Sequence, residues 1–426
     1  MALAVAVCPA GAAGQTAAAA GPAVVTLKAA LAMARQNSPE LAAAAAGIGE
    51  AHAARAEARA ALLPSLTFLN TYTYTQPNGT DTGVFIANNG RNEYFDQAAV
   101  HAAIGVTETA GYRSAAAAEA VARAQADIAA RGVVVTVVQR YDAVVVSQRK
   151  LATARQAEEM AQRFLSITRD RERGGESAHS DVIKAQILLQ QRQRQMREAE
   201  LALNTNRNEL AIVIFPTYQT AFNVEDDLET PAALPEFQAV QATAVQNNPD
   251  VAAAAAALRQ AEQDVWVARG EILPSLSVDY FYGIDANNFA VSTRGIRNLG
   301  SSVAASVNVP LWNWGATGSR IAVAHLRARQ AGTELAFAQR QLLADLHSFY
   351  EEAQAARAEL DSLKQSADLA AESLRLTTLR YQAGEATVLE VVDAQTTLTD
   401  ARNAYDEGQA RYHLALANLQ TLTGTF

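Results

Sequence analysis

Two stretches of the chain change from a helical spacing of apolar positions to strict alternation, each at a Leu-Pro-Ser-Leu junction. After Leu63-Pro64, the residues Leu66, Phe68, Tyr72 and Tyr74 share one face of an extended segment, and Ser65, Thr67, Thr71, Thr73 and Thr75 take the other. After Leu273-Pro274, the residues Leu276, Val278, Tyr280, Tyr282 and Ile284 oppose Ser275, Ser277 and Asp279. A period of two predicts strands with unlike faces. A returning strand follows each: Val100, Ile104 and Val106 alternate with His101, Gly105 and Thr107, and Val303, Val307, Val309 and Leu311 alternate with Ser302, Ser306 and Asn308. The expected strands are 65–76, 97–108, 275–284 and 301–311. The Gly/Asn-rich segments 77–96 and 285–300 between them read as long loops.

The remaining pattern is helical. Ser38-Pro39-Glu40 and Asn248-Pro249-Asp250 each supply an N-cap residue, a proline at the first helical position and an acid in the first turn. They open Ala-rich arms over 39–62 and 249–272, which Pro64 and Pro274 stop. Long arms are predicted over 112–172 and 319–381, on the order of 90 Å each at 1.5 Å per residue. Each ends in a glycine turn and returns, over 178–214 and 386–422. In the last arm Val391, Leu398, Tyr405, Tyr412 and Leu419 recur every seven residues, with Ala394, Ala401, Gly408, Ala415 and Leu422 three positions later. This is a seam of large and mostly small residues. Val182, Leu189, Met196, Leu203 and Leu210 keep the same heptad in the first half.

The two halves repeat one another. Residues 27–66 align without a gap on 237–276, and Arg171–Leu189 on Arg380–Leu398. A period of this length marks a duplicated half-protein, with a first repeat over 23–236 and a second over 237–426. The fold class is therefore mainly α with a transmembrane β part. Ten-residue strands with one apolar face, one Ser/Thr/Asn face and aromatics near the ends have the pattern of membrane-barrel strands. A half-buried soluble sheet shares that alternation, but the thin helical arms could not cover two hairpins.

Composition narrows the function classes. Half of the 426 residues are hydrophobic, yet aromatics are only 6% and alanine supplies much of the rest. That composition suits long helices packed closely through small residues. With net charge −9 and no basic block, nucleic acid is not expected as a partner. The six histidines, 52, 101, 179, 325, 347 and 413, show no ligand spacing, so no metal or cofactor is expected. Residues 1–22 read as the apolar part of an export signal whose basic start is missing, with cleavage near Ala20. Lipid modification of Cys8 is the alternative, and Val7 is larger than the small residue such a site requires. No run is long and apolar enough for a membrane helix.

Four strands cannot close a membrane barrel, since the smallest closed barrels have about eight. An open edge in lipid would leave backbone groups unpaired. Two or three copies must pool their hairpins, and the attached helices would then gather into a tube.

With Arg380-Tyr381-Gln-Ala-Gly384-Glu385-Ala386-Thr387-Val-Leu-Glu390-Val-Val-Asp393, the twofold repeat, the Asn-x-Pro helix start and the Leu-Pro-Ser switch, the chain resembles the TolC-like outer-membrane efflux proteins of Gram-negative bacteria. The resemblance covers about Leu27 to Gly424. It implies a homotrimer with a twelve-stranded barrel and an α-helical tunnel crossing the periplasm. This would be a passive duct docked onto a periplasmic adaptor and an inner-membrane pump, without catalysis of its own. It also implies roles for residues. Glu390 and Asp393, one helical turn apart, would line the pore entrance as stacked anionic rings; acids near a helix start also simply favour the helix dipole. Asp181 and Tyr381 would belong to a gate latch, whose usual arginine is Ala386 here. The turns at Gly175-Glu176 and Gly384-Glu385, with Thr387, would contact the adaptor. Tyr72, Tyr74, Tyr282, Trp312 and Trp314 are candidate membrane-interface aromatics, with packing at a barrel–tunnel junction as the rival reading for the tryptophans.

Two other classes compete. A soluble coiled-coil or helical-repeat scaffold would leave the four alternating strands and the signal-like start unexplained. An enzyme would need a nucleophile–base grouping, a metal spacing or a phosphate loop, and the chain shows none of these.

Overall fold

Proline placement sets the first helical arms. The computed structural model describes residues 23–76, 91–228 and 232–424; the export-signal residues, Cys8 and loop residues 77–90 lie outside them. The first repeat runs β1 (Ala23–Val25), α1 (Leu27–Asn37), α2 (Pro39–Ala60), β2 (Ser65–Tyr74), β3 (Asn92–Ile104), α3 (Val106–Arg173) and α4 (His179–Ile214), followed by β4 (Phe222–Val224). The second runs α5 (Phe237–Asn247), α6 (Pro249–Gly270), β5 (Ser275–Ala286), β6 (Ser292–Thr293), β7 (Ile296–Arg297), β8 (Leu299–Asn308), α7 (Ala316–Gln382) and α8 (Val388–Thr423). Asn248 caps α6, its side chain accepting from the Val251 amide at 2.9 Å, with Pro249 next. α2 and α6 finish alike, with Leu62 and Ile272 each donating to the arginine three residues back at 3.1 Å.

Several expected limits shift. The strand expected over 97–108 is β3, from Asn92 to Ile104, and Val106 and Thr107 belong to the first turn of α3. The switch falls at Gly105, where a Cβ would come 2.5 Å from a Glu108 carboxylate oxygen. Gly270 packs on the same turn: a Cβ there would come 2.3 Å from the Thr107 hydroxyl. The strand expected over 301–311 is β8, ending at Asn308 two residues before Pro310, which has no N–H to give a ladder. The region read as a loop over 285–300 holds the end of β5, the hairpin β6–β7 and the start of β8. Its two-residue turn places Arg294 and Gly295 at φ 52° and 84°, the mirror-image turn that suits hairpin twist. For arginine the left-handed region costs about 1–2 kcal/mol. Helices α1 and α5 and the parallel pair β1–β4 extend the expected set.

The four long strands form one antiparallel sheet in the order β2-β3-β5-β8. Its register aligns Leu66, Val100, Tyr280 and Val303 in one row and Phe68, Ala98, Tyr282 and Ser301 in the next. The alternate rows hold Ser65, His101 and Asp279, then Thr67, Ala99, Phe281 and Ser302. One face is thus predominantly apolar, as the alternation predicted, and that face is uncovered: Leu66 is 73%, Phe68 70% and Val303 70% exposed. A half-buried soluble sheet would cover it. No helix among the described residues is long and apolar enough to cross a membrane.

The chain divides into two compact units that cut across the repeats. Among the described residues one comprises 23–38, 134–228, 232–234 and 352–417; the other comprises 39–76, 91–133, 235–351 and 418–424. In the first, Phe164, Leu165, Val182, Leu188, Tyr381, Val391 and Leu398 form a shared cluster from α3, α4, α7 and α8. Small seam residues permit the approach: a Cβ on Gly408 would meet Leu363 at 2.6 Å. The segment after β4 is fastened in the same unit. Tyr141 donates to the Glu225 carbonyl at 2.7 Å, Arg149 grips Asp226 with two nitrogens at 2.5 and 2.6 Å, and Gln409 donates to the Leu228 carbonyl at 3.1 Å. In the second unit lie the sheet, α2, α6 and the adjoining parts of α3 and α7.

Candidate functional site: the helical turns and the sheet ends

The two returning turns are built alike. After α3, the Gly175 amide donates to the Glu172 carbonyl and the Glu176 amide to the Arg171 carbonyl, both at 2.9 Å. After α7, Gly384 donates to Tyr381 at 3.1 Å and Glu385 to Arg380 at 2.9 Å. Both glycines have left-handed φ, 77° and 83°. The five-residue closing bond over a left-handed glycine is the Schellman ending, which satisfies carbonyls the helix leaves open. Gly175, Glu176, Gly384, Glu385 and Thr387 are all exposed.

The two turns then diverge in how the next helix is capped. Thr387 and Glu390 form a reciprocal capping box: the Thr387 amide donates to the Glu390 carboxylate at 3.0 Å, and the Glu390 amide to the Thr387 hydroxyl at 3.3 Å. Arg380 lies 3.5 Å from the second Glu390 oxygen. The Thr387 backbone N–H, then its hydroxyl, then Arg380 hold the Glu390 carboxyl below its ordinary range. At the corresponding place α4 has Ala178, which offers no side-chain cap. Asp393, also exposed, makes no ion pair or hydrogen bond with a described residue. Glu390 and Asp393 thus start α8 on one face, and Glu390 also caps the helix through Thr387.

Asp181 and Tyr381 are not joined by a hydrogen bond. The Asp181 carboxylate accepts from Ser177 at 3.4 Å and from Lys184 at 3.3 Å. Tyr381 is buried, its ring 5.0 Å from Phe164 and its hydroxyl 3.2 Å from that of Thr168. Thr168 spends its proton on the Phe164 carbonyl at 2.9 Å, so Tyr381 is the donor between the two hydroxyls.

Arg171 is the residue the sequence reading missed. Its guanidinium stacks 5.0 Å above the Tyr381 ring, donates to the Tyr381 carbonyl and lies 3.6 Å from Glu176. A Cβ on Gly384 would stand 3.4 Å from its terminal nitrogen. One cation therefore ties the α3–α4 turn to the α7–α8 turn. The available signal was the repeat itself, because Arg171 aligns with Arg380 at the head of the second matching block.

Four of the aromatic candidates occupy opposite ends of the sheet, whereas Tyr282 lies between them in the row of Phe68 and Ala98. Tyr72 lies across from Tyr94, rings 5.0 Å apart, at the end remote from the helices, and Tyr74 is two residues further on. Trp312 and Trp314 follow β8 at the helix-side end, edge to face at 5.9 Å and 77% and 89% exposed, so the chain itself does not pack them away. Among the described residues no group of three or more His, Cys, Asp or Glu is placed to hold a metal ion.

The family described as outer membrane efflux protein has a model that matches this chain twice, over residues 30–214 and 241–425. The outer membrane protein TolC of Vibrio cholerae is 25% identical over 395 residues, 92% of this chain and 89% of that protein. The pyoverdine export outer membrane protein OpmQ of Pseudomonas putida is 29% identical over 266 residues, 60% of this chain and 53% of that protein. Among solved structures, the outer membrane protein VceC of Vibrio cholerae superposes with a TM-score of 0.82 at 18% identity, covering 93% of this chain and 96% of that one. The CmeC outer membrane channel of Campylobacter jejuni gives 0.79 at 18%, covering 93% and 85%.

Proposed function

The chain belongs to the outer membrane efflux protein family, and so to the channels of the Gram-negative outer membrane, and from that premise we propose that three copies form a passive exit duct. The observation that carries the reading is the uncovered, predominantly apolar face of a four-stranded sheet whose edges, β2 and β8, pair with no further strand among the described residues. Lipid would cover the face, and neighbouring copies would pair the edges. Three chains bring twelve strands. The helices would line a periplasmic tunnel, and the two Schellman turns would meet a periplasmic adaptor that connects the duct to an inner-membrane pump. The duct does no chemistry; energy for export comes from the pump.

Glu390 and Asp393 from three copies would make two rings at the periplasmic entrance. Six carboxylates around one aperture attract cations. Asp181 and Tyr381 would contribute to the closed state through the neighbouring coil. Tyr72, Tyr74 and the two tryptophans would sit at the lipid boundaries, and Tyr282, in the Phe68 row, would lie between them.

Planar-bilayer recording tests the entrance. Wild-type channels are expected to prefer cations and to be blocked by multivalent cations from the periplasmic side. The double change Glu390→Gln/Asp393→Asn should weaken both properties with the trimer intact. Unchanged selectivity and block would reduce the two acids to helix-start residues.

A further inference from the structure

We propose that the β6–β7 hairpin is a lipid-docking finger that holds the phosphate groups of lipopolysaccharide in the outer leaflet. The inference rests on the outer-membrane reading of the sheet given above. Strands β2 and β5 leave α2 and α6, and β3 and β8 lead towards α3 and α7, so the hairpin stands at the sheet end remote from the helices. With the helices on the periplasmic side, that end reaches the outer leaflet.

The hairpin is aimed at the apolar face. Phe289, which leads into it, has its ring 5.9 Å from Tyr94, and Tyr94 is in turn 5.0 Å from Tyr72. Tyr72 and Tyr94 are cross-strand partners on the same sheet face as Phe68 and Leu66. The aromatic run therefore leaves the sheet on the face that lipid would cover, not over the polar face. The segment beyond it is held in shape by Asn298. Its side chain donates to the Ala290 carbonyl at 2.9 Å and the Thr293 hydroxyl at 3.0 Å, and its amide donates to the Val291 carbonyl at 2.9 Å.

The chemistry displayed there is cationic and apolar. Residues 286–298 contain Arg294 and Arg297 and no acid. Both arginines are exposed, and neither makes an ion pair or hydrogen bond with a described residue. Val291 and Ile296 are exposed beside them. Arg294 occupies a left-handed turn position that glycine or asparagine fills more easily, so the turn retains an arginine against its conformational preference. The acid of the nearest apolar-face row, Asp96, is bonded to Asn70 at 3.4 Å. A guanidinium fork matches phosphate oxygens in two parallel hydrogen bonds, and apolar neighbours favour an interfacial position. Phosphorylated glycolipid is the outer-leaflet component of such membranes that presents this chemistry.

The test reconstitutes the full chain into phosphatidylcholine vesicles containing diphosphoryl lipid A or the same lipid with its phosphates removed, and measures lipid A retained per protein after re-extraction. Wild type should retain the phosphorylated form. Arg294→Gln/Arg297→Gln should retain roughly 30-fold less, on the scale of two basic side chains at an anionic lipid surface. Dephosphorylated lipid A should bind wild type as weakly as that variant. Arg294→Asn, which suits the turn, serves as the folding control: it should insert normally and lose only part of the retention. Excess inorganic phosphate should fail to release the lipid. Equal retention of the two lipids, retention indifferent to the arginines, or release by inorganic phosphate overturns the docking proposal while the inserted channel stands. A chain that never enters vesicles overturns the membrane reading and this proposal together.

Discussion

At the α3–α4 turn one guanidinium serves three groups: the Tyr381 ring, the Tyr381 carbonyl and the Glu176 carboxylate. The Tyr381 position is thereby held from within the chain, although position 386 carries alanine. Arg171→Ala is expected to raise the resting conductance of reconstituted channels, and Ala386→Arg to lower it, both with assembly unchanged. Conductance unmoved by either variant would detach these positions from the gate. Gly384→Ala should cost about 1–2 kcal/mol, because a side chain is forced into left-handed backbone. Glu390 gives a pH direction. Its folded pKa is depressed below the ordinary 4.5, so the stabilisation from its capping bonds is present above that value and lost as pH falls through the folded one. Loosening of the α8 start, followed by amide exchange at Thr387 and Glu390, should therefore appear only in acid. Of these residues, the left-handed glycines were legible in the sequence, since Gly175 and Gly384 recur at matching positions of the repeat; the acid pair was not, since Glu390 and Asp393 align with Asp181 and Lys184 and were singled out by the family resemblance alone. The Arg171 contact was not, because a bond between residues 210 apart leaves no local spacing to read.

Among the elements, those with a periodic signature and a chemical stop were legible. Asn248-Pro249 announces α6, and Leu273-Pro274-Ser275 announces the change to β5. The short elements were not, for physical reasons. β1 and β4 have three residues each, too few to show alternation, and they are positioned by pairing with one another. The start of α3 at Val106 went unseen because Val106 and Thr107 continue the period of β3; close packing at Gly105 and Gly270 ends the strand. The sheet's two faces make a direct prediction. Phe68→Arg should impair insertion by roughly 2–4 kcal/mol if the site lies near the bilayer midplane, whereas Thr71→Arg on the polar face should be tolerated. Quantitative folding into vesicles of graded denaturant content reads the difference, and equal penalties would remove the lipid assignment. In the helical unit, Asp142 is buried and its carboxyl is pushed up by burial, with His413 at 2.8 Å opposing that shift. The same bond raises His413 above its ordinary 6.5, so its contribution is present below that pH and lost as pH rises through the raised value. His413→Leu should cost about 1–3 kcal/mol by leaving Asp142 without its partner. Thermal unfolding in detergent should show the variant lacking the wild-type decline at alkaline pH.

For the whole molecule, everything turns on whether one chain is sufficient. A single copy leaves two strand edges open and a predominantly apolar sheet face bare, at a cost lipid cannot relieve at the edges. The twofold match of the family agrees with a duct protein and the superposition with its fold, while closing a barrel calls for more than one copy, of which three is the number proposed. The most direct measurement is the mass of the purified mature protein in detergent, by native mass spectrometry with the detergent removed in the gas phase. A species of three chains that falls to monomer only on strong heating is the predicted result. A monodisperse monomer that stays soluble without detergent would contradict the duct.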